Sequence, residues 1–192
     1  PIRDEEEMTK RQLVAAETQR GAIRLSQVNP DSDPTDSVGG VSFRHLSMLA
    51  QIKSSDADVW SSLNRSGHIE GDPSDSLRVR LARMRSWIGG PHFPEDAKLE
   101  IRSEIGDDAR AEIGRDGIAF LRSLSDLLSE CEWTDAGIGE SISEACDSTG
   151  FSRKEGFCSI YWAVIGRRHG PKASSLLFEM DRGDIVSLLG SS

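Results

Sequence analysis

Two stretches of the chain concentrate the side chains that pair with phosphate. Residues 77–94 hold Arg78, Arg80, Arg83 and Arg85 and no acid. Residues 150–172 hold Arg153, Lys154, Arg167, Arg168 and Lys172 against one acid, Glu155. The whole chain carries a formal charge of −9, which repels a polyanion at long range, so segregation of this kind is what would let one face meet nucleic acid. The same arginines also suit the solvated face of an amphipathic helix, and the charge pattern by itself leaves both uses open.

Aromatic and imidazole groups stand beside these cations. On a helical wheel Arg80, Arg83 and Trp87 share one flank of a stripe begun by Leu77, where guanidinium planes and an indole can stack unpaired bases and pair with phosphate. Trp87 equally fits the edge of a core. Trp162 lies off the stripe of its own helix, so it is a candidate for a partner surface, whereas Phe157 and Tyr161 lie on that stripe and are expected in the core. The turn Arg167-Arg168-His169-Gly170-Pro171-Lys172 sets cations beside a helix start with free amides, an arrangement that attracts anions. His45 and His169 can hydrogen-bond base edges, although a lone histidine more commonly serves as an ordinary surface or core residue.

These side chains need helices to hold them. Residues 4–22 are rich in helix formers with acids at the front; residues 22–25 alternate briefly, and 26–41 is dense in turn formers and reads as a linker. Ser42 suits an N-cap for a helix whose apolar face is Phe43, Leu46, Leu49 and Ala50. A second helix starts at Asp56 and carries Val59, Trp60 and Leu63. A third, introduced by Asp72-Pro73-Ser74, carries Leu77, Leu81, Met84 and Ile88 and stops at Gly89-Gly90-Pro91. From Asp107 to Leu128 the pattern predicts one long helix in spite of Gly114 and Gly117, followed by a shorter one over 138–146. Ser152-Arg153-Lys154-Glu155 fits a capping box for a helix carrying Phe157, Ile160, Tyr161, Val164 and Ile165. Gly166 and Gly170 break it, Pro171 suits the first position of the next helix, and two short helices over 172–180 and 182–189 close the chain. No segment alternates convincingly with period two, so the expected fold class is all-α, a multi-helix array.

Composition narrows the function classes. Hydrophobic residues make up 36% and charged residues 29%, which fits a soluble protein with a modest core. The longest apolar run, residues 161–165, is far short of the ~20 residues of a membrane helix. The acidic opening residues are unlike a basic-then-apolar leader. Cys131, Cys146 and Cys158 are odd in number and lack C-x-x-C spacing, so neither a disulfide framework nor a zinc site is expected, and a reducing cytoplasm is the natural setting. No phosphate-binding Gly loop, metal-ligand spacing or nucleophile motif appears, so no catalytic residue and no metal ligand is assigned. A chain that opens on Pro1 is expected to be a piece of something longer.

Three blocks, in order, resemble the C-terminal part of class I lysyl-tRNA synthetases. They are Ser42-Phe43-Arg44-His45-Leu46 with Leu49 and Gln51-Ile52; Arg80-Leu81-Ala82-Arg83-Met84-Arg85-Ser86-Trp87-Ile88 with Pro94-Glu95-Asp96-Ala97-Lys98; and residues 157–166 with His169-Gly170-Pro171-Lys172. The likeness covers about 42–190 and departs from the family at Lys172, where an Arg is usual, and at Gly89-Gly90-Pro91-His92-Phe93, where a Tyr-Ala segment is usual. Gly67-His68-Ile69-Glu70 and Lys53-Ser54-Ser55 only echo that class's HIGH and KMSKS signatures, which belong to a nucleotide-binding α/β fold.

The resemblance implies an α-helix cage that receives the anticodon loop of lysine tRNA, built as a connecting segment (1–41) and two helical subdomains (42–100 and 101–192). It implies no cofactor in this portion, with ATP and magnesium used by the parent enzyme, and no activity from this portion alone. The RNA contacts it implies, with the charge pattern, are Arg44, His45, Arg80, Arg83, Trp87, Lys154, Trp162, Arg167, Arg168, His169 and Lys172. Because the last helices resemble class I glutamyl synthetases as well, the equivalent glutamyl domain stays open as an alternative. So does a helical protein-interaction module that uses Trp60, Trp87 and the acidic N-terminal helix.

Overall fold

The computed structural model describes residues 40–191, within which every regular element is helical. In chain order these are α1 (Phe43–Ile52), α2 (Asp56–Arg65), α3 (Asp75–Ile88), a 3-10 turn (Glu95–Ala97), α4 (Asp107–Glu130), α5 (Asp135–Thr149), α6 (Arg153–Ile165), α7 (Ala173–Phe178) and α8 (Arg182–Gly190). The all-α expectation is met. The helix expected over 4–22, the alternation at 22–25 and all but the last two residues of the 26–41 linker lie outside the described residues.

Short polar side chains start most of the helices. Ser42, Ser55, Ser74, Thr134, Ser152 and Asp181 each accept a backbone N–H from the residue three positions on, satisfying one of the amides that a helix start leaves without a partner. At α6 the expected box is only half formed: the Ser152 hydroxyl accepts from the Glu155 amide at 3.3 Å and donates to the Glu155 carboxylate at 2.5 Å.

The helices pack as two groups. Helix α1 lies against α3 and α2, while α4 runs between α5, α6 and α8, with α7 on α5. Leu46, Leu49, Val59, Leu63, Leu77, Leu81 and Met84 form the interior of the first group, and Phe120, Leu121, Leu124, Ile138, Ile160, Leu176 and Ile185 lead that of the second. The stripe expected on α3 is therefore the buried one, with Ile88 half-buried at its end.

Four expectations are corrected. The helix from Asp107 is kinked, because Gly114 adopts a non-helical φ of 69° and ψ of 177° that only glycine takes without strain. Phe157 is 38% exposed instead of core. The buried face of α6 is displaced toward its small residues: a side-chain carbon on Gly156 would meet Cys146 Sγ at 2.8 Å and Phe120 at 3.1 Å, and one on Gly117 would meet Ser159 Oγ at 2.8 Å. Close helix approach thus swings the bulky Phe157 to the outside. Trp162, expected off the stripe, is half-buried and packs against the core. Pro171 precedes the helix, which begins at Ala173 with Lys172 as N-cap; the Pro171 carbonyl instead accepts the Tyr161 hydroxyl.

The two groups are joined through one buried carboxylate. Glu179, only 4% exposed, accepts from the Ser62 hydroxyl and pairs with Arg65 at 3.2 Å and Lys53 at 3.5 Å. The Arg65 guanidinium also lies 4.7 Å above the Phe178 ring. Gln51 Oε1 accepts the Leu99 amide at 2.8 Å, and Arg102 donates its amide to Val164 O at 2.9 Å. The Arg102 guanidinium grips Asp108 through two bonds and thereby holds that exposed carboxyl down to about 2.

Candidate nucleic-acid interface

At the start of α1, residues 43–45 stand between two hollows. Side chains of a helix lean toward its N-terminus, so Phe43, next to the Ser42 cap, overhangs the end of α1 and stays 51% exposed although it falls on the apolar face. Its ring lies 5.9 Å from that of Trp87, which is itself braced edge-on by the buried Phe93 at 4.8 Å.

The narrow hollow, about 290 Å³, is lined by Phe43, Arg80, Arg83, Met84 and Trp87. Its walls are aromatic faces and the apolar stems of two arginines. Arg80 donates to the Val41 carbonyl at 3.1 Å and burial pushes its pKa down, so it is partly used by the fold. Arg83 is exposed and makes no hydrogen bond or ion pair among the described residues. Trp87, 40% exposed, packs one edge on Phe93 and lines the hollow with the rest of its ring.

The wide hollow, about 990 Å³, lies at the junction of the two helix groups and is bordered by α1, the end of α2, the start of α5 and the 170–172 turn with α7. Arg44, His45, His68, Arg65, Lys172 and Asp135 supply its chemistry. His45 and His68 stack with centroids 4.5 Å apart and planes within 14°, and Ser66 Oγ lies 2.7 Å from His68 Nδ1. Burial and the neighbouring His68 push the His45 pKa down, against the weaker upward pull of Glu179 and Asp135, so the ring is neutral near pH 7. Its Nε2 is buried and has no hydrogen-bond partner among the described residues.

Lys172 is paired with Asp135. Burial raises the Asp135 pKa, but the hydrogen bonds it accepts from Lys172, Ser175 and Ser174 outweigh this and hold it low. The acid in the hollow is thus neutralised internally.

The sequence-derived candidates are therefore divided. Arg44, His45 and Lys172 line the wide hollow, and Arg80, Arg83 and Trp87 line the narrow one. The arginine helix and the lysine turn do not share a wall; Phe43 alone of the lining residues borders both spaces. Arg167 donates to the carbonyls of Asp96 and Glu95 at 2.6 and 3.0 Å, tying the 3-10 turn to the end of α6. Arg168, His169 and Lys154 are exposed and border neither hollow, and Trp162 borders neither.

Phe43, His68, Arg65 and Asp135 are among the lining residues that sequence reasoning missed. Phe43 carried a readable signal, its place directly after a cap. His68 carried none, since it meets His45 only through the turn that follows α2. Among the described residues there is no cluster of His, Cys, Asp and Glu able to hold a metal ion, and no helix is long and apolar enough to cross a membrane.

No protein-family model matches the chain. Curated relatives do. The lysine–tRNA ligase of Pyrococcus horikoshii is 24% identical over 172 residues, covering 86% of this chain and 32% of the relative. That of Methanopyrus kandleri is 28% identical over 193 residues, 92% of this chain and 34% of the relative. The Aeropyrum pernix ligase is 27% identical over 84% of this chain and 30% of its own length. The chain spans about a third of the length of the relatives it matches. Over most of its own length, then, this chain, whose described residues form only helices as regular elements, is similar to a partial region of lysine–tRNA ligases.

Proposed function

We propose that the chain is the anticodon-binding portion of a class I lysine–tRNA ligase, a non-catalytic helical module that holds the unpaired bases of the anticodon loop. The observation that carries this reading is the pair of hollows meeting at Phe43. One offers exposed aromatic faces beside Arg83, the other the stacked rings of His45 and His68 beside Arg44, which is the stacking-plus-cation chemistry that single-stranded RNA loops require. The ordered likeness to lysine–tRNA ligases supplies the choice of tRNA.

On this reading residues 42–100 and 101–192 are two helical subdomains, the natural setting is the cytoplasm, and ATP and magnesium belong to the rest of the parent enzyme. The chain alone is expected to catalyse no ATP–pyrophosphate exchange.

Binding of lysine tRNA at low salt, compared with anticodon-substituted forms of the same tRNA and with glutamate tRNA, tests the proposal. Preference for the lysine anticodon, with affinity falling steeply as salt rises, is expected because displaced counterions are released. Binding indifferent to the anticodon would overturn it. Binding of a helical peptide that hardly responds to salt would instead identify a protein-interaction groove.

A further inference from the structure

Phe43 is the residue on which the two hollows turn. Half of its surface is open to water, it opens a helix that contains no acid, and it faces α3, whose only acid, Asp75, sits at the opposite end from Trp87. A bulky apolar ring left open in an otherwise cationic neighbourhood matches neither a purely acidic nor a purely apolar partner. It suits a flat, apolar-faced and negatively tethered group, which is a nucleotide.

Each neighbouring space offers a base a different chemistry. In the narrow hollow the open face of Trp87 offers stacking, with unpaired Arg83 at hand for the phosphate. In the wide hollow the stacked rings of His45 and His68 line the wall, with Arg44, which has no partner among the described residues, beside them. A single strand passing over the start of α1 has to cross the Phe43 ring to use both.

We infer that Phe43 is a wedge between two consecutive unpaired nucleotides: the base on one side stacks on Trp87, the base on the other enters the wide hollow against His45, and the ring fills the gap where base–base stacking is lost. The inference rests on the anticodon reading and specifies how that site parts its ligand. Phe43 is a positioning residue, and its effect has to be felt at both neighbouring bases.

The test uses the full chain and the anticodon stem-loop of lysine tRNA as probe. Phe43→Ala is expected to weaken binding about tenfold, a typical loss for one stacking ring, and Phe43→Trp to restore it, with only a small change in thermal unfolding because half of the residue is open to water. In double variants, Phe43→Ala combined with Trp87→Ala, and Phe43→Ala combined with His45→Gln, should each lose less than the product of the single losses. Trp87→Ala with His45→Gln should lose the full product. With 4-thiouridine at one anticodon uridine at a time, crosslinks from neighbouring positions should divide between α3 and the 170–172 turn. If the chain binds the lysine anticodon selectively but Phe43→Ala stays within twofold, or neighbouring crosslinks fall on one side, the wedge is wrong and the anticodon reading survives. If the unaltered chain shows no anticodon preference, both fall.

Discussion

Inside the second helix group, α4, α5 and α6 meet through glycine and serine, so closely that Gly156 and Gly117 leave no room for a methyl group. At the junction between the groups, contact is made by Glu179, Lys53, Arg65 and Ser62, and two buried polar atoms, His45 Nε2 and Glu179 Oε1, have no hydrogen-bond partner among the described residues. The bundle is held by shape and the junction by charge. Packing of the first kind fixes a scaffold; packing of the second kind gathers ionisable groups at the junction, where Arg65 also borders the wide hollow.

The largest effect should come from breaking the junction. Glu179→Ala leaves Lys53 and Arg65 facing each other without their shared anion. It is expected to cost about 3 kcal/mol, the lower end of the range for a disrupted buried pair because Arg65 reaches water; urea unfolding measures it. Overfilling the bundle should cost somewhat less. Gly156→Ala is expected to destabilise by about 1–3 kcal/mol, while the same substitution at Gly139, where an added carbon meets only Ser174 at 4.0 Å, should be far milder.

A smaller effect separates cations that the fold uses from those it leaves free. Arg83→Gln is expected to lower the slope of log affinity against log salt by about 1 for the tRNA stem-loop. Arg167→Gln should leave that slope unchanged and lower the melting temperature instead, since its guanidinium is spent on the carbonyls of Glu95 and Asp96.

The smallest effect is a pH dependence confined to the junction. The folded pKa of His45 lies below its ordinary 6.5, so the unfolded chain binds the proton more readily. This group's contribution to stability is full above pH 6.5 and is lost as pH falls through the lowered value. A His45→Gln chain should therefore show a flatter decline of stability below pH 6.5, read by thermal melts across pH.

The same contrast explains what could be read in the sequence. Helix starts were legible because a cap is local: Ser42, Ser74 and Ser152 stand directly before their helices. The stripe Leu77, Leu81 and Met84 was legible because burial of large residues repeats with the helical period. The small-residue seam of α6 was not, since a search for large apolar side chains passes over Gly156, Ser159 and Ala163 and so places Phe157 inside. The kink at Gly114 was also missed, because a glycine within a good apolar pattern shows no sign of its own φ.

Of the candidate site, Arg44, His45, Arg80, Arg83, Trp87 and Lys172 were chosen for charge and ring chemistry, and the hollows they line divide them in a way that no spacing shows. Arg167 could not be recognised as internal, because its partners are backbone carbonyls more than seventy positions away. Glu179 gave no sign of burial, for its partners Ser62 and Lys53 lie more than a hundred positions earlier.

The hydroxyl of Ser42 accepts the His45 amide at 3.2 Å and so closes the first turn of a ten-residue helix that carries Phe43, Arg44 and His45 in succession. Three groups facing the hollows thus depend on one turn, and helix ends open far more readily than whole domains. Amide hydrogen exchange at His45 is therefore expected to report opening of this surface well before global unfolding does.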